Sequence, residues 1–347
     1  MMKRYLAAPL AAVMAVSLMA GTTAFADNAG KTFEVGIVKF VDDASLNQIE
    51  QAIEDELDAK GQELGVTFHC TEYDGQADAT TLNQFASKLV DEKADAIVPI
   101  ATPAALPMQA ATKDSKIPVI FSAVSDPISC GLVKDMDNPG SNVTGTSDAL
   151  DTEAVFKLIT AANPGIKKIG LLYNKSEDAS TKSIEDAKKY CDDNGIEYVE
   201  KTGTNAEEVM TAATALIDEK VEAVFTPTDN TIMTSELAIA PKFEEAGIPH
   251  YAGADSFALN GAFCGYGVNY SELGTATGDM IADILANGKD PAKTPVQTLS
   301  NGIATVNTDV AEKIGLDYSM FSDMCEAVKE TVTAQDFTDV TEASTEA

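Results

Sequence analysis

Val98-Pro99-Ile100-Ala101-Thr102-Pro103-Ala104-Ala105 reads as a buried strand, a sharp turn and the opening of a helix. Ala96–Ile100 is a short apolar run, as a parallel strand shows when both its faces are covered. Thr102 has the chemistry of an N-cap, and Pro103 falls at the first helical position, where a missing N–H costs nothing. The helix predicted over 103–114 therefore aims free N–H groups and the positive end of its dipole at the carboxyl edge of the sheet. Open α/β sheets bind their ligands at that edge. A second polar turn, Ser122-Ala123-Val124-Ser125-Asp126-Pro127, follows the next strand at the same edge.

The plan recurs. Asp91-Glu92-Lys93-Ala94-Asp95-Ala96-Ile97-Val98 matches Asp218-Glu219-Lys220-Val221-Glu222-Ala223-Val224-Phe225, and Lys116-Ile117-Pro118 matches Gly247-Ile248-Pro249. The second copy is longer by about one helical turn. Upstream, Glu34-Val35-Gly36-Ile37-Val38 resembles Lys168-Ile169-Gly170-Leu171-Leu172. Three matches in one order imply two α/β lobes, each a doubly wound parallel sheet with right-handed crossovers.

The ends and the charge narrow the setting. Lys3 and Arg4 precede an apolar run, and Ala24-Phe25-Ala26 has the form of a signal-peptide cleavage site, so residues 1–26 are read as a signal peptide. That places the mature chain outside the cytoplasm, secreted, periplasmic or at the cell surface. A formal net charge of −31 opposes nucleic acid and anionic membrane surfaces as partners. The five cysteines (Cys70, Cys130, Cys191, Cys264, Cys325) show no CxxC spacing, so no metal site is expected and free thiols are. His69 and His250 lie in strand-like segments and are given structural roles.

In chain order, residues 33–147 and 270–297 are assigned to lobe 1, residues 148–269 and 298–328 to lobe 2, and 333–347 to a frayed acidic tail. The chain thus passes between lobes three times. Three crossings make a hinge, and a hinged pair has a cleft walled by strand ends and helix N-termini. Gly261 to Asn269 reads as a strand running toward the other lobe, and the stretch 298–307 as one strand.

At the cleft turns, lobe 1 offers hydroxyls and free N–H groups at Ser45, Thr102, Ala104 and Ser125, partners for a carboxylate. Lobe 2 offers Asp229 and Asp255, partners for an ammonium. In the repeat Asp229 falls at the position of Thr102, so the lobes are expected to present opposite preferences, a polarity that suits a zwitterionic amino acid. Asp126 is a further candidate contact, with an Asx turn as its ordinary role. Phe40, Tyr173 and Phe257 stand at strand ends, where they could flank an apolar side chain. No nucleophile elbow, HExxH or Walker loop is present, and no catalytic residue or cofactor is assigned.

Ile100-Ala101-Thr102-Pro103-Ala104-Ala105, Phe121-Ser122-Ala123-Val124-Ser125-Asp126-Pro127, Pro139-Gly140-Ser141-Asn142-Val143-Thr144-Gly145-Thr146-Ser147-Asp148 and Pro227-Thr228-Asp229-Asn230-Thr231 together resemble ABC-transporter substrate-binding proteins of the tryptophan/aromatic-amino-acid-binding type. The resemblance runs from about Phe33 to Leu316. It implies the type I periplasmic-binding-protein fold and a monomeric receptor that delivers a small molecule, an α-amino acid, to a membrane permease and ATPase. It carries Thr102, Ser125, Asp126, Thr146, Asp229 and Asp255 over as candidate contacts; with Phe40, Ser45, Pro103, Ala104, Ala123 and Tyr173 these form the candidate ligand-binding set. The chain departs from that pattern at Lys39-Phe40-Val41-Asp42-Asp43-Ala44-Ser45, where relatives carry glutamine and a His-Pro turn. The acids there would favour a more cationic ligand. A receptor for a nucleoside or sugar, or an extracellular sensor, are the alternative readings; an enzyme is disfavoured.

Overall fold

The computed structural model describes residues 28–334, 336–337 and 341–342. The expected signal peptide lies outside them, as does most of the expected tail. The first series comprises β1 (Thr32–Lys39), α1 (Ala44–Leu64), β2 (Thr67–Asp74), α2 (Ala79–Asp91), β3 (Ala96–Ile100), α3 (Thr102–Ala111), β4 (Val119–Phe121) and β5 (Val143–Ser147). The second comprises α4 (Thr152–Ala162), β6 (Lys168–Tyr173), α5 (Asp178–Asn194), β7 (Glu197–Thr202), α6 (Ala206–Asp218), β8 (Ala223–Thr226), α7 (Asn230–Met233), α8 (Glu236–Glu245), β9 (His250–Ala252), α9 (Asp255–Leu259) and β10 (Cys264–Gly267). Then come α10 (Tyr270–Leu285), β11 (Gln297–Thr298), β12 (Ile303–Asn307), α11 (Thr308–Ile314), β13 (Ala327–Thr331) and β14 (Thr341–Glu342).

The two series pair identically, β2-β1-β3-β4-β5 in one sheet and β7-β6-β8-β9-β10 in the other, every pair parallel. The internal repeat in the sequence is thus a repeat of topology. In each sheet the strand order reverses beside the first strand, which opens a crevice at the carboxyl ends of β1 and β3, and of β6 and β8. Local chemistry builds the helices that wall these crevices. Asp43 caps α1 by accepting from Ser45 N and Leu46 N; Ile49, Ile53 and Leu57 form its buried stripe; Gly65 ends it at φ +67°.

Where the chain changes lobes, the sequence reading needs correction. The stretch 298–307 is two strands: β11 extends the first sheet beside β5, and β12 joins the second. β12 runs antiparallel to β10, because the chain re-enters the second lobe from the direction in which β10 left it. β14 pairs antiparallel with β13, so part of the acidic tail is an edge strand rather than frayed. α10 lies along α1, and Gly274 permits the approach: a β-carbon there would stand 2.6 Å from the Ile49 carbonyl oxygen.

The three crossings are laced together. Asn301 Nδ2 donates to Ala149 O at 2.7 Å while its Oδ1 accepts from Asp151 N at 3.1 Å. Gly302 N donates to Gly267 O at 3.1 Å, and Leu299 N to Ser147 O at 3.3 Å. His250 is buried, with Nδ1 2.8 Å from Glu236 Oε1 and Nε2 2.8 Å from Thr226 Oγ1. The five cysteines are free, Cys191 and Cys264 being buried.

Gly145 in β5 marks the tightest approach in lobe 1: an added β-carbon would lie 2.0 Å from the Phe121 carbonyl oxygen. Main chain cannot be moved aside by a rotamer change. Gly145→Ala is therefore expected to cost at least about 2 kcal/mol and to lower Tm by roughly 5 °C or more in calorimetry.

Candidate functional site

The carboxyl ends of the two sheets face each other across a narrow gap with a cavity volume of about 30 Å³, space for only a water or two. From lobe 1 it is lined by Asp43, Ser45 and Leu46 at the start of α1, Ala101 and Thr102 at the start of α3, and Ala123 and Ser125 in the turn after β4. From lobe 2 come Ala179 on α5, Thr228, Asp229, Asn230 and Met233 around α7, and Ala254, Ser256 and Phe257 around α9. Asp148 and Tyr270 close it at the hinge.

Of the residues singled out in the sequence, Ser45, Thr102, Ala123, Ser125, Asp229 and Phe257 are brought together here. Their bonding differs from the expectation. Thr102 is not the cap of α3: Ala101 occupies the cap position at φ +78°, and Thr102 is the first helical residue with its Oγ1 buried and unpartnered. Asp229 is saturated within its own lobe. Its Oδ1 caps Ile232 N at 3.0 Å, and its Oδ2 accepts from Asn174 N and Ser180 Oγ at 2.7 Å each. Ser125 Oγ donates to Asp148 Oδ1 at 3.0 Å.

Asp255 does not line the gap; it binds across it. Ser45 Oγ donates to Asp255 Oδ1 at 2.5 Å and accepts from Ser256 N at 3.1 Å, and Gln48 Nε2 donates to Asp255 Oδ2 at 3.2 Å. These bonds join the start of α1 in one lobe to the start of α9 in the other. The remaining candidates fall elsewhere. Phe40 packs half-buried against the lobe 1 core, Pro103 sits half-buried in α3, and Ala104 points into the core beneath that helix. Asp126 accepts from Ser129 N at 3.0 Å in a turn. Thr146 is buried beneath α10, bonded to Ser122 Oγ at 3.2 Å and Thr277 Oγ1 at 2.8 Å. Tyr173 belongs to the lobe 2 core and donates to Glu200 Oε2 at 2.6 Å.

The expected division, hydroxyls in lobe 1 and acids in lobe 2, does not hold. Asp43 stands in lobe 1 with Oδ2 buried and unpartnered, and Asp148 stands at the hinge. The sequence marks the Asp42-Asp43 pair as acids of a cleft turn without assigning Asp43 a contact, and Asp148 reads in sequence only as the end of a linker. A signal was present, since each closes a turn that follows a strand of the repeat.

Among the described residues, no lysine, arginine or histidine lines the gap. Burial accordingly pushes the Asp43 carboxyl up to about 6, with the neighbouring Asp255 charge adding to the effect. Burial likewise raises Asp148 to about 6, against the hydrogen bond from Ser125. Asp229 is raised by burial and by the Glu177 charge, and Asp255 by burial.

Comparison with known proteins gives the class. The family model of the ABC transporter substrate binding protein matches residues 34–321, and the chain belongs to that family. It is a family of receptors, not of enzymes, and its members work outside the cytoplasm. Among individual relatives, a tyrosine-binding protein of Clostridioides difficile (strain R20291) is 32% identical over 90% of this chain and 93% of its own. An ABC domain from Streptococcus pneumonia in complex with L-Trp is 32% identical, with a TM-score of 0.78 over 87% of this chain and 99% of its own. A ligand-free, open substrate-binding protein with adhesive properties from Clostridium difficile, also 32% identical, covers 87% of this chain and 100% of its own at a TM-score of 0.67.

The two acids make closure sensitive to pH. A carboxyl raised from 3.8 to about 6 destabilises the folded, closed form at pH 7 by on the order of 3 kcal/mol, and the penalty disappears as pH falls through 6 toward 4. Tm of the ligand-free protein is expected to rise between pH 7 and pH 5, and in Asp43→Asn/Asp148→Asn protein the rise should flatten.

Proposed function

We propose that this chain is the receptor of an ABC importer and that its interlobe cleft binds an α-amino acid with an aromatic or large apolar side chain. The observation that carries the reading is the pairing, in one closed gap, of an unpartnered hydroxyl at a helix N-terminus with an unpartnered carboxylate, Thr102 Oγ1 and Asp43 Oδ2. Thr102 Oγ1, at the positive end of α3, suits a carboxylate, which gains a charge-assisted hydrogen bond and the helix dipole. The buried acids suit an ammonium. Leu46, Met233 and Phe257 supply an apolar wall for the ligand's side chain. The tyrosine-binding and L-Trp-bound relatives support an aromatic one.

Closure would hold the ligand between lobes, and the closed form would be the one presented to the permease and ATPase. Export through the N-terminal signal segment would bring the receptor to that side of the membrane.

Thermal-shift screening against amino acids, nucleosides and sugars tests the reading. An aromatic amino acid at about 100 times its Kd should add about 2.7 kcal/mol of stability, whereas a response to nucleosides or sugars alone would sink the proposal. Thr102→Val keeps the shape and removes the hydroxyl. It is expected to weaken amino-acid binding by roughly ten- to a hundredfold in calorimetry, with the fold unchanged.

A further inference from the structure

Two polar atoms on opposite lobes are buried in the gap without a hydrogen-bond partner: Asp43 Oδ2 at the foot of α1 and Ser256 Oγ on α9. Asp43 is 7% exposed and Ser256 1%. The Asp43 Oδ1 atom is already committed to the cap of α1, at 3.0 Å from Ser45 N and 3.2 Å from Leu46 N. Ser256 lies close enough to favour the ionised carboxylate, yet forms no hydrogen bond with it. Buried polar atoms without partners are costly, and two of them flanking one gap leave a place for a shared third group.

The neighbouring acids are otherwise engaged. Asp229 is held by Asn174, Ser180 and Ile232, Asp255 by Ser45 and Gln48, and Asp148 by Ser125. A group with several N–H donors can satisfy the carboxylate oxygen and the hydroxyl oxygen together. Among the described residues no cationic side chain lines the gap, so a group that also brings positive charge would offset the ionised Asp43. A primary ammonium does both, having three N–H donors and no acceptor.

We propose that Asp43 Oδ2 and Ser256 Oγ form a primary-ammonium subsite, assembled only when the lobes meet, that takes the ligand's α-amino group. This rests on the amino-acid reading of the cleft. Because one partner comes from each lobe, the amine supplies differential affinity for the closed form, while the ligand's side chain sets only which amines fit. An aromatic amine without a carboxylate should still close the lobes; an aromatic acid without an amine should not.

The test is a cycle measured by calorimetry: an aromatic amino acid and its des-amino analogue, each against wild-type protein and Asp43→Asn. Asparagine retains the α1 cap through its own side-chain oxygen, so the variant is expected to fold. Wild-type protein should prefer the amino acid by about a hundredfold. Asp43→Asn should lose most of that preference while its affinity for the des-amino acid changes by less than about threefold. Ser256→Ala should lose roughly tenfold for the amino acid alone. Unchanged amino-acid affinity in Asp43→Asn, or equal losses for both ligands, would overturn the subsite. Wild-type protein that binds no aromatic amino acid would instead overturn the receptor reading beneath it, a result in which the variant plays no part.

Discussion

Uncompensated negative charge in a buried place is the constraint around which this molecule is arranged. Asp43, Asp148, Asp229 and Asp255 are all buried or nearly so about the interlobe gap, and among the described residues no lysine, arginine or histidine lines it. Hydrogen bonds from hydroxyls and main-chain N–H groups carry the load that cations carry elsewhere. Those bonds come from every element that meets at the gap: the start of α1, the turn after β4, the hinge, and the loops that precede α5 and α7. Separating the lobes would expose these acids to water and lower their cost, which opposes the interlobe bonds of Ser45 and Gln48; a bound donor group would add to closure. In a receptor, the cargo supplies that group.

Backbone strain is concentrated in the same place. Ala101 and Ala123 both line the gap, both adopt positive φ (78° and 55°), and they are adjacent, since Ala101 N donates to Ser122 O at 2.9 Å. Left-handed conformations cost a residue with a β-carbon about 1–2 kcal/mol. The surrounding sheet holds them there, and the result is that Thr102 enters α3 as a helical residue, its hydroxyl free of capping duty.

Much of the fold could be read without coordinates because repetition is visible in residues. Asp91–Val98 against Asp218–Phe225 shows two lobes, and the assignment of residues 270–297 to lobe 1 agrees with α10 lying along α1. The site was less legible. Turn positions identified Thr102, Ser125 and Asp229, since strand ends are local features. What a side chain does once there depends on neighbours distant in sequence. Asp229 is saturated by Asn174 and Ser180, and Ser45 is taken up by Asp255 some two hundred residues on. Thr146 and Ala104 were drawn into the lobe 1 core by the inward face of β5 and α3, a burial that motif matching does not see.

The lacing of the crossings by Asn301 and by two main-chain bonds has a mechanical corollary. The pivot is fastened to itself, so the lobes swing about a stitched axle and do not drift apart at that side. Opening must also break the bond by which Ser45 of one lobe clasps Asp255 of the other. The door is slowed by its latch and guided by its spindle.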